Sequence, residues 1–159
     1  MKQFLIIGNL NAVTYKEVFP LIKAGEVGLG VNGVKTFIMP SGTLQKFGNI
    51  YWYTTMTKDH INPPLTLTAT YTPEAYPRYD NYDAIEVGRT KDIPRDGYGV
   101  MGVPISFLDK WNKEQFEIVD AENQPEFRGG RIYKRLIIRR IGACAQVPNL
   151  TESKRTDEY

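Results

Sequence analysis

The sequence predicts an α/β fold, and three stretches carry that expectation. Residues 4–7, Phe-Leu-Ile-Ile, are a short continuous apolar run closed by Gly8 and Asn9. Such a run reads as a strand buried on both faces, the habit of parallel sheets. Tyr15, Val18, Phe19 and Ile22 then fall at the i, i+3, i+4, i+7 spacing of one apolar helix face. Further on, 36–39 and 50–55 are rich in strand formers. They are joined by the glycine-bearing segment 41–49, which predicts an antiparallel pair.

In order along the chain, the helix is expected over 14–23. Thr14 and Glu17 form a T-x-x-E capping box. Gly25 supplies a stop, and Pro20, inside the pattern, is expected to shorten or kink it. Asn9 and Asn11 fall at the carboxyl end of the first strand, where open α/β sheets bind ligands. Turn chemistry is the plainer reading of both. Residues 27–31 are a strand or a loose connection. Gly28, Gly30 and Gly33 do not make a phosphate-binding fingerprint, because no helix pattern follows them.

Residues 76–119 differ from what precedes them. Tyr76, Tyr79 and Tyr82 alternate with Arg78, Asp80, Asn81 and Asp83. Prolines at 94 and 104 set extended backbone before them, and Gly97, Gly99 and Gly102 permit tight turns. Long periodic runs are lacking, so an irregular segment is expected, and long ordered loops in a domain are usually functional. Within it, 84–87 reads as a brief strand, Pro104 opens a short helix through Leu108, and 115–119 alternates as a strand. Residues 120–130 read as a loop, 132–141 as a long strand, and everything from Ala145 as a polar tail.

Composition limits the function classes. The chain has 159 residues, 42% hydrophobic and 24% charged, which suits one domain of ordinary globular make-up. No apolar run nears the roughly 20 residues that span a bilayer, and the apolar part of the N-terminus is too short for a signal peptide. A cytoplasmic location is the default. One cysteine (Cys144) and one histidine (His60) exclude an internal disulfide and weaken any metal or hydrolase reading. The net charge of +2 is uneven. Residues 128–140 hold Arg128, Arg131, Lys134, Arg135, Arg139 and Arg140 and no acid. The other 14 basic and 18 acidic residues leave the rest at −4. This stretch reads either as a solvated strand whose charges guard a sheet edge or as a phosphate-contacting stripe.

The runs FLIIGNLNAVTYKEVFPLIKAGEVGLG, YPRYDNYDAIEVGRTKDIP, GVMGVPISFLDKWNKEQFEIV and IYKRLIIRR resemble the C-terminal half of EcoRI-type adenine-specific DNA methyltransferases. The resemblance spans nearly the whole chain to about residue 141. It implies methyl transfer from S-adenosylmethionine to adenine N6 within a DNA sequence. It also implies the C-terminal half of a Rossmann-like methyltransferase sheet plus an irregular, β-rich target-recognition segment. Residues 1–56 would be the partial sheet (fifth strand, helix, last hairpin), 57–144 the DNA-facing segment packed on it, and 145–159 the tail.

Amino-methyltransferases acting on bases carry a [D/N/S]-P-P-[F/Y/W] loop whose amide and carbonyl hold the exocyclic amine while the aromatic stacks on the flipped base. Asn62-Pro63-Pro64-Leu65 looks like it, but leucine cannot stack and the tetrapeptide follows a late strand. It reads as a stiff turn. The catalytic and cofactor-binding motifs of the family lie upstream of FLIIGN, so neither a catalytic residue nor a cofactor site is expected in this chain.

The expected partners are double-stranded DNA and a methyltransferase half carrying those motifs, in cis or as a separate chain. Arg78, Arg89, Lys91, Arg95, Arg131, Lys134 and Arg135 are the candidates for phosphate contacts. Tyr79, Tyr82, Asn81 and Asn11 are the candidates for base or orphan-strand contacts. The alternative is a non-catalytic remnant that acts as a folding or self-association module through an exposed sheet edge.

Overall fold

The computed structural model describes residues 2–30, 35–96 and 99–142, a mixed α/β chain made mostly of strands with few helices. Two sheets dominate. Strand β1 (Leu5–Asn9), β2 (Gly28–Leu29) and β5 (Ile50–Thr54) form a three-stranded sheet in the order β1-β5-β2. Strands β6 (Ile85–Glu86), β7 (Val100–Pro104), β8 (Phe116–Glu122) and β11 (Arg135–Arg140) form a four-stranded sheet in the order β6-β7-β11-β8. Two small ribbons, β3–β4 (Thr36–Ile38 and Leu44–Lys46) and β9–β10 (Glu126–Phe127 and Gly130–Arg131), stand beside them.

The core is built on the four-stranded sheet. Strand β11 lies inside it, antiparallel to both β7 and β8. Leu136 and Ile138 point into the main apolar cluster with Val103, Ile105, Phe107 and Phe116. Ile137, one pleat over, points to the other face, against Tyr79 and Ala84. Three consecutive apolar residues are thus buried because both faces of the strand are covered. Phe107 and Phe116 meet edge to face, centroids 5.5 Å apart. In β8, Val119 is an extra residue between the pairs Ile118↔Ile138 and Asp120↔Ile137. This bulge turns its carbonyl outward, where Lys23 Nζ donates to it at 2.8 Å. The main cluster also takes in Val13, Ile22, Val27 and Tyr53, so residues on both sides of position 56 share one core.

Several expectations are corrected. The first strand is not buried in a parallel sheet. It pairs antiparallel with β5 at the sheet edge, and Leu5, Ile6 and Ile7 are 50%, 56% and 43% exposed. The helix does not begin at a capping box. Leu10–Thr14 is a 3-10 turn capped by the Asn9 side chain, and Thr14 is buried, its hydroxyl donating to Asn11 O. Helix α1 spans only Phe19–Lys23, with Pro20 in its first turn. Proline fits there because its missing N–H has no intrahelical partner to lose, so Pro20 starts the helix instead of kinking it. Gly25, at φ 73°, ends it as expected.

The expected pairing of 36–39 with 50–55 does not form. Strand β3 folds back on β4 through a tight turn inside 39–43, and β5 pairs with β1 and β2 instead. Residues 76–119 are irregular over much of their length, as expected, but they also supply β6, β7 and half of β8. The single parallel pairing among the described strands, β6 with β7, gives two-residue β6 its place. The 120–130 segment is not a plain loop, since β8 runs on to Glu122 and β9 follows. The basic strand begins at Arg135, not at 132, and it guards no edge. Its charges lie toward the strand ends, where Arg135 meets Glu86 and Arg139 meets Glu117, while the apolar centre packs. Cys144 and the tail from Ala145 lie outside the described residues.

Candidate functional site

The chain after β1 and the chain before β11 meet at the carboxyl end of β1. Asn9 Oδ1 accepts from Asn11 N at 2.9 Å and from Asn49 Nδ2 at 3.5 Å. Asn11 Oδ1 accepts from the Tyr133 hydroxyl. Lys134 Nζ donates to Thr14 Oγ1 at 3.1 Å and lies 5.6 Å from the Tyr15 ring centre. Tyr133 and Tyr15 are 57% and 51% exposed. Three amides, two open aromatic rings and a lysine therefore form a ledge from segments some 120 positions apart. Two of the sequence candidates, Asn11 and Lys134, come together here. Tyr15 and Tyr133 were missed, although Tyr133 sits inside the basic stretch and Tyr15 next to the first helical turn.

The other candidates cluster at the 76–83 strip, which turns back on itself into β6. Tyr79 N donates to Ala84 O at 3.1 Å and Glu86 N to Pro77 O at 2.9 Å. The tyrosine side chains go inward. Tyr76 stacks on Tyr71, centroids 5.7 Å apart, and its hydroxyl donates to Asp92 O at 2.6 Å. The Tyr79 phenol lies across β7, where a Cβ on Gly102 would come within 2.6 Å of its Cζ, so that position requires glycine. Its hydroxyl donates to Glu86, whose carboxylate also accepts from Arg135 Nη2 at 2.9 Å. The Arg135 and Glu86 side chains are only 14% and 12% exposed. Burial, then the Glu86 carboxylate, pushes the Tyr79 phenol well above the ordinary range. Tyr82 donates to Asp120 Oδ2 at 2.9 Å, and burial followed by that bond raises its pKa to about 12.

Asn81 is committed at both ends of its amide. It donates to Gln124 O at 2.9 Å and accepts from Glu126 N at 2.8 Å, fastening β9 to the strip. Asp80 Oδ2 accepts from Gly129 N in the same ribbon. Arg128 and Gly129 form its turn at φ 51° and 77°, and the Arg128 guanidinium lies 5.0 Å from the Phe127 ring centre.

The cations divide into two kinds. Arg135 is enclosed. Arg78 (paired with Asp83), Arg89 (2.7 Å from Asp92) and Arg131 (3.7 Å from Glu126) are about two-thirds exposed, and Lys91 and Arg95 are exposed as well. The Asn62-Pro63-Pro64 turn is held by the scaffold: Asn62 Nδ2 donates to Trp111 O at 3.0 Å and its carbonyl accepts from Asn112 at 2.6 Å. It borders a small cavity of about 100 Å³ beneath β2, with His60, Asp109 and Lys113. Among the described residues no three His, Cys, Asp or Glu side chains gather as metal ligands. None of the described helices is long and apolar enough to cross a membrane.

Fold and ledge together define a strand-dominated α/β chain that offers amides, aromatic rings and a lysine at a strand end. The profile of the family described as "Adenine-specific methyltransferase EcoRI" matches residues 1–157, and the chain belongs to that family. It is 43% identical to the type II methyltransferase M.EcoRI of Escherichia coli, over 97% of this chain and 51% of that protein. It is 36% and 34% identical to the type II methyltransferases M.MgeORF184P of Mycoplasma genitalium and M.MpnI of Mycoplasma pneumoniae, each over 78% of this chain and 46% of the relative. The chain spans about half the length of the curated relatives it matches. No solved structure matches it.

Proposed function

We propose that this chain is the DNA-facing half of an adenine-N6 DNA methyltransferase, contributing duplex binding and target recognition. The observation that carries the reading is the ledge of Asn11, Tyr15, Tyr133 and Lys134 at the carboxyl end of β1. Open rings stack on bases, amides pair with base edges, and a lysine neutralises phosphate. The exposed Arg78, Arg89, Lys91, Arg95 and Arg131 extend the phosphate contacts. Arg135, Tyr79, Asn81 and Tyr82, by contrast, serve the site by shaping the scaffold under it.

The topology supports reading 1–56 as part of a Rossmann-like sheet. Strand β1, helix α1 and β2 make a crossover that leaves β1 and β2 parallel, with β5 antiparallel between them. Strand, helix and closing hairpin are thus all present, but the hairpin is β2–β5, with the β3–β4 ribbon inserted into its connection.

The family implies S-adenosylmethionine as the methyl donor. The described residues offer no dedicated place for it: Gly8 and Asn9 lead only into a 3-10 turn, the cavity beneath β2 holds about 100 Å³, and the larger hollow of about 370 Å³ beside Lys23 and Phe116 presents a single carboxylate, Glu117. On this reading the methyl-transfer step belongs to a second half. That half docks along the outer edge of β1, which has no strand partner among the described residues and shows Leu5, Ile6 and Ile7. The same edge favours one other reading, self-association of a non-catalytic remnant.

The test is duplex binding by fluorescence anisotropy, with the chain alone and with the amino-terminal half of the E. coli relative added. Affinity that falls steeply between about 50 and 200 mM salt is expected. No binding at low salt with both halves present sinks the reading. Sedimentation at several concentrations separates the two occupants of β1: a homodimer that excludes the added half favours the remnant.

A further inference from the structure

Residues 35–49 form a β-ribbon that stands out from the body. Its turn is preset: Gly42 N donates to Met39 O at 2.8 Å, Met39 N to Thr43 O at 2.8 Å, and Gly42 takes φ 82°. Pro40 fixes the first turn position, and a turn closed by a left-handed glycine is a standard hairpin solution. On one face Phe37 and Phe47 meet edge to face, centroids 5.3 Å apart, and stiffen the ribbon. The opposite face has no cover among the described residues. Ile38 and Leu44 are directly paired across the strands and are 76% and 71% exposed. A Cβ built on Gly42 at the tip or on Gly48 at the base would meet nothing within 4 Å.

An isolated two-stranded ribbon is marginal in water, and an exposed apolar pair on a stiffened one calls for an occupant. Charge selects it. Residues 35–58 contain Lys35, Lys46 and Lys58 and no acid. Lys58 is paired with Glu26, and Lys35 lies near Asp109, whereas Lys46 stands across from Thr36 on the same open face as Ile38 and Leu44. Thr36, Ser41 and Thr43 add hydroxyls. The base of the ribbon is continuous with the ledge, because Asn49 accepts from Leu10 N at 2.8 Å and donates to Asn9. A nucleic acid lying on the ledge would meet the ribbon.

We propose that the β3–β4 ribbon enters the major groove of the duplex held at the ledge and reads sequence there. The major groove, about 12 Å wide, admits a two-stranded β-ribbon. Ile38 and Leu44 contact thymine methyl groups, the apolar feature of that groove, and Lys46 binds a flanking phosphate. The proposal rests on the DNA-facing reading and adds to it the element that discriminates between sequences.

The experiment uses duplexes recovered from a randomised pool by the unsubstituted chain, with the added amino-terminal half if the chain alone does not select. Three proteins are compared: unsubstituted, Ile38→Ser/Leu44→Ser, and Lys46→Ala. All substituted residues are exposed, and thermal melting checks that each variant folds. The double variant is expected to lose about tenfold or more of its preference for the selected duplex over a random one. Replacing thymine by uracil, which removes the methyl, is expected to weaken the unsubstituted protein and leave the double variant unchanged. Lys46→Ala is expected to weaken binding evenly across sequences and to flatten the salt slope by about 1.

Unchanged discrimination in the double variant, with duplex binding intact, overturns this proposal and leaves the DNA-facing reading standing. A dimer that the double variant dissolves identifies a second copy as the occupant and also overturns it. Absence of duplex binding by the unsubstituted protein overturns both.

Discussion

Two strands of this protein carry the same tripeptide, Leu-Ile-Ile, and treat it oppositely. In β11, Leu136, Ile137 and Ile138 are fully buried; in β1, Leu5, Ile6 and Ile7 are about half exposed. The residues are identical, so intrinsic hydrophobicity does not decide burial. Neighbours do. Strand β11 has a strand on each edge and an apolar layer on each face, one built by Val103 and Phe116, the other by Tyr79 and Ala84. Strand β1 has β5 on one edge and little over either face. Among the described residues β1 has no second strand and no apolar layer to match those of β11.

The largest effect should come from the buried copy. Ile137→Ala is expected to cost about 2–5 kcal/mol, through lost burial and the cavity left beneath Tyr79. Ile6→Ala should change stability by no more than about 0.5 kcal/mol. Urea unfolding of the two variants measures the contrast, and equal shifts would break it. The comparison is sharpened by repeating the melts with an amino-terminal half bound: a cost for Ile6→Ala that appears only then marks β1 as an interface strand.

The same contrast bears on how far sequence reasoning reached. The existence of β1, β3, β5, β6, β8 and β11 was legible from apolar and β-branched runs, because local composition decides whether a segment is a strand; β7, broken by Gly102 and closed by Pro104, was not. Partner choice was not. Residues 36–38 had two candidate partners, and the turn built by Pro40, Ser41 and Gly42 decided for the nearer one. The charges of 128–140 masked a core strand, because a pattern with arginines at 135, 139 and 140 looks solvated until Glu86 and Glu117 are seen opposite. At the site, Asn11 and Lys134 were legible as polar groups near strand ends. Their meeting was not, since it depends on a contact across most of the chain, and Tyr133 entered only through that contact.

A smaller effect is expected at the junction of strip and sheet. Glu86→Ala would leave the Arg135 guanidinium enclosed without its carboxylate and remove the acceptor of Tyr79, a loss of about 3 kcal/mol in urea unfolding. Glu86→Gln keeps an acceptor and should cost less. Equal effects of the two would mean that charge at Arg135 is irrelevant.

The tyrosines give the region a pH limit. Burial holds Tyr53 at about 12, and Tyr82 is raised to a similar value by burial and Asp120, while an unfolded phenol ionises near 10. The folded state therefore keeps protons that the unfolded state releases. Their contribution is complete below pH about 10 and is lost as pH rises through about 12. Thermal melts across that range should fall, with tyrosinate absorbance appearing as the fold is lost. Tyr82→Phe should flatten that fall; an unchanged profile would remove Tyr82 from the account.

The smallest expected effect on stability lies at the exposed cations. Arg78 and Asp83 form an ion pair in which both side chains are well solvated, 65% and 93% exposed. Water screens such a pair, and fixing two long side chains offsets most of what remains. Arg78→Ala should leave the urea midpoint unchanged, in contrast to Glu86→Ala in the enclosed pair seven positions on from Tyr79. Its effect should appear instead in duplex affinity, weakened evenly for selected and random sequences, as expected for a phosphate contact that carries no base information. A variant that shifts stability but not affinity would move Arg78 into the scaffold beside Arg135. The division between cations that hold the fold and cations proposed to meet DNA would then have to be redrawn around Arg89, Lys91, Arg95 and Arg131.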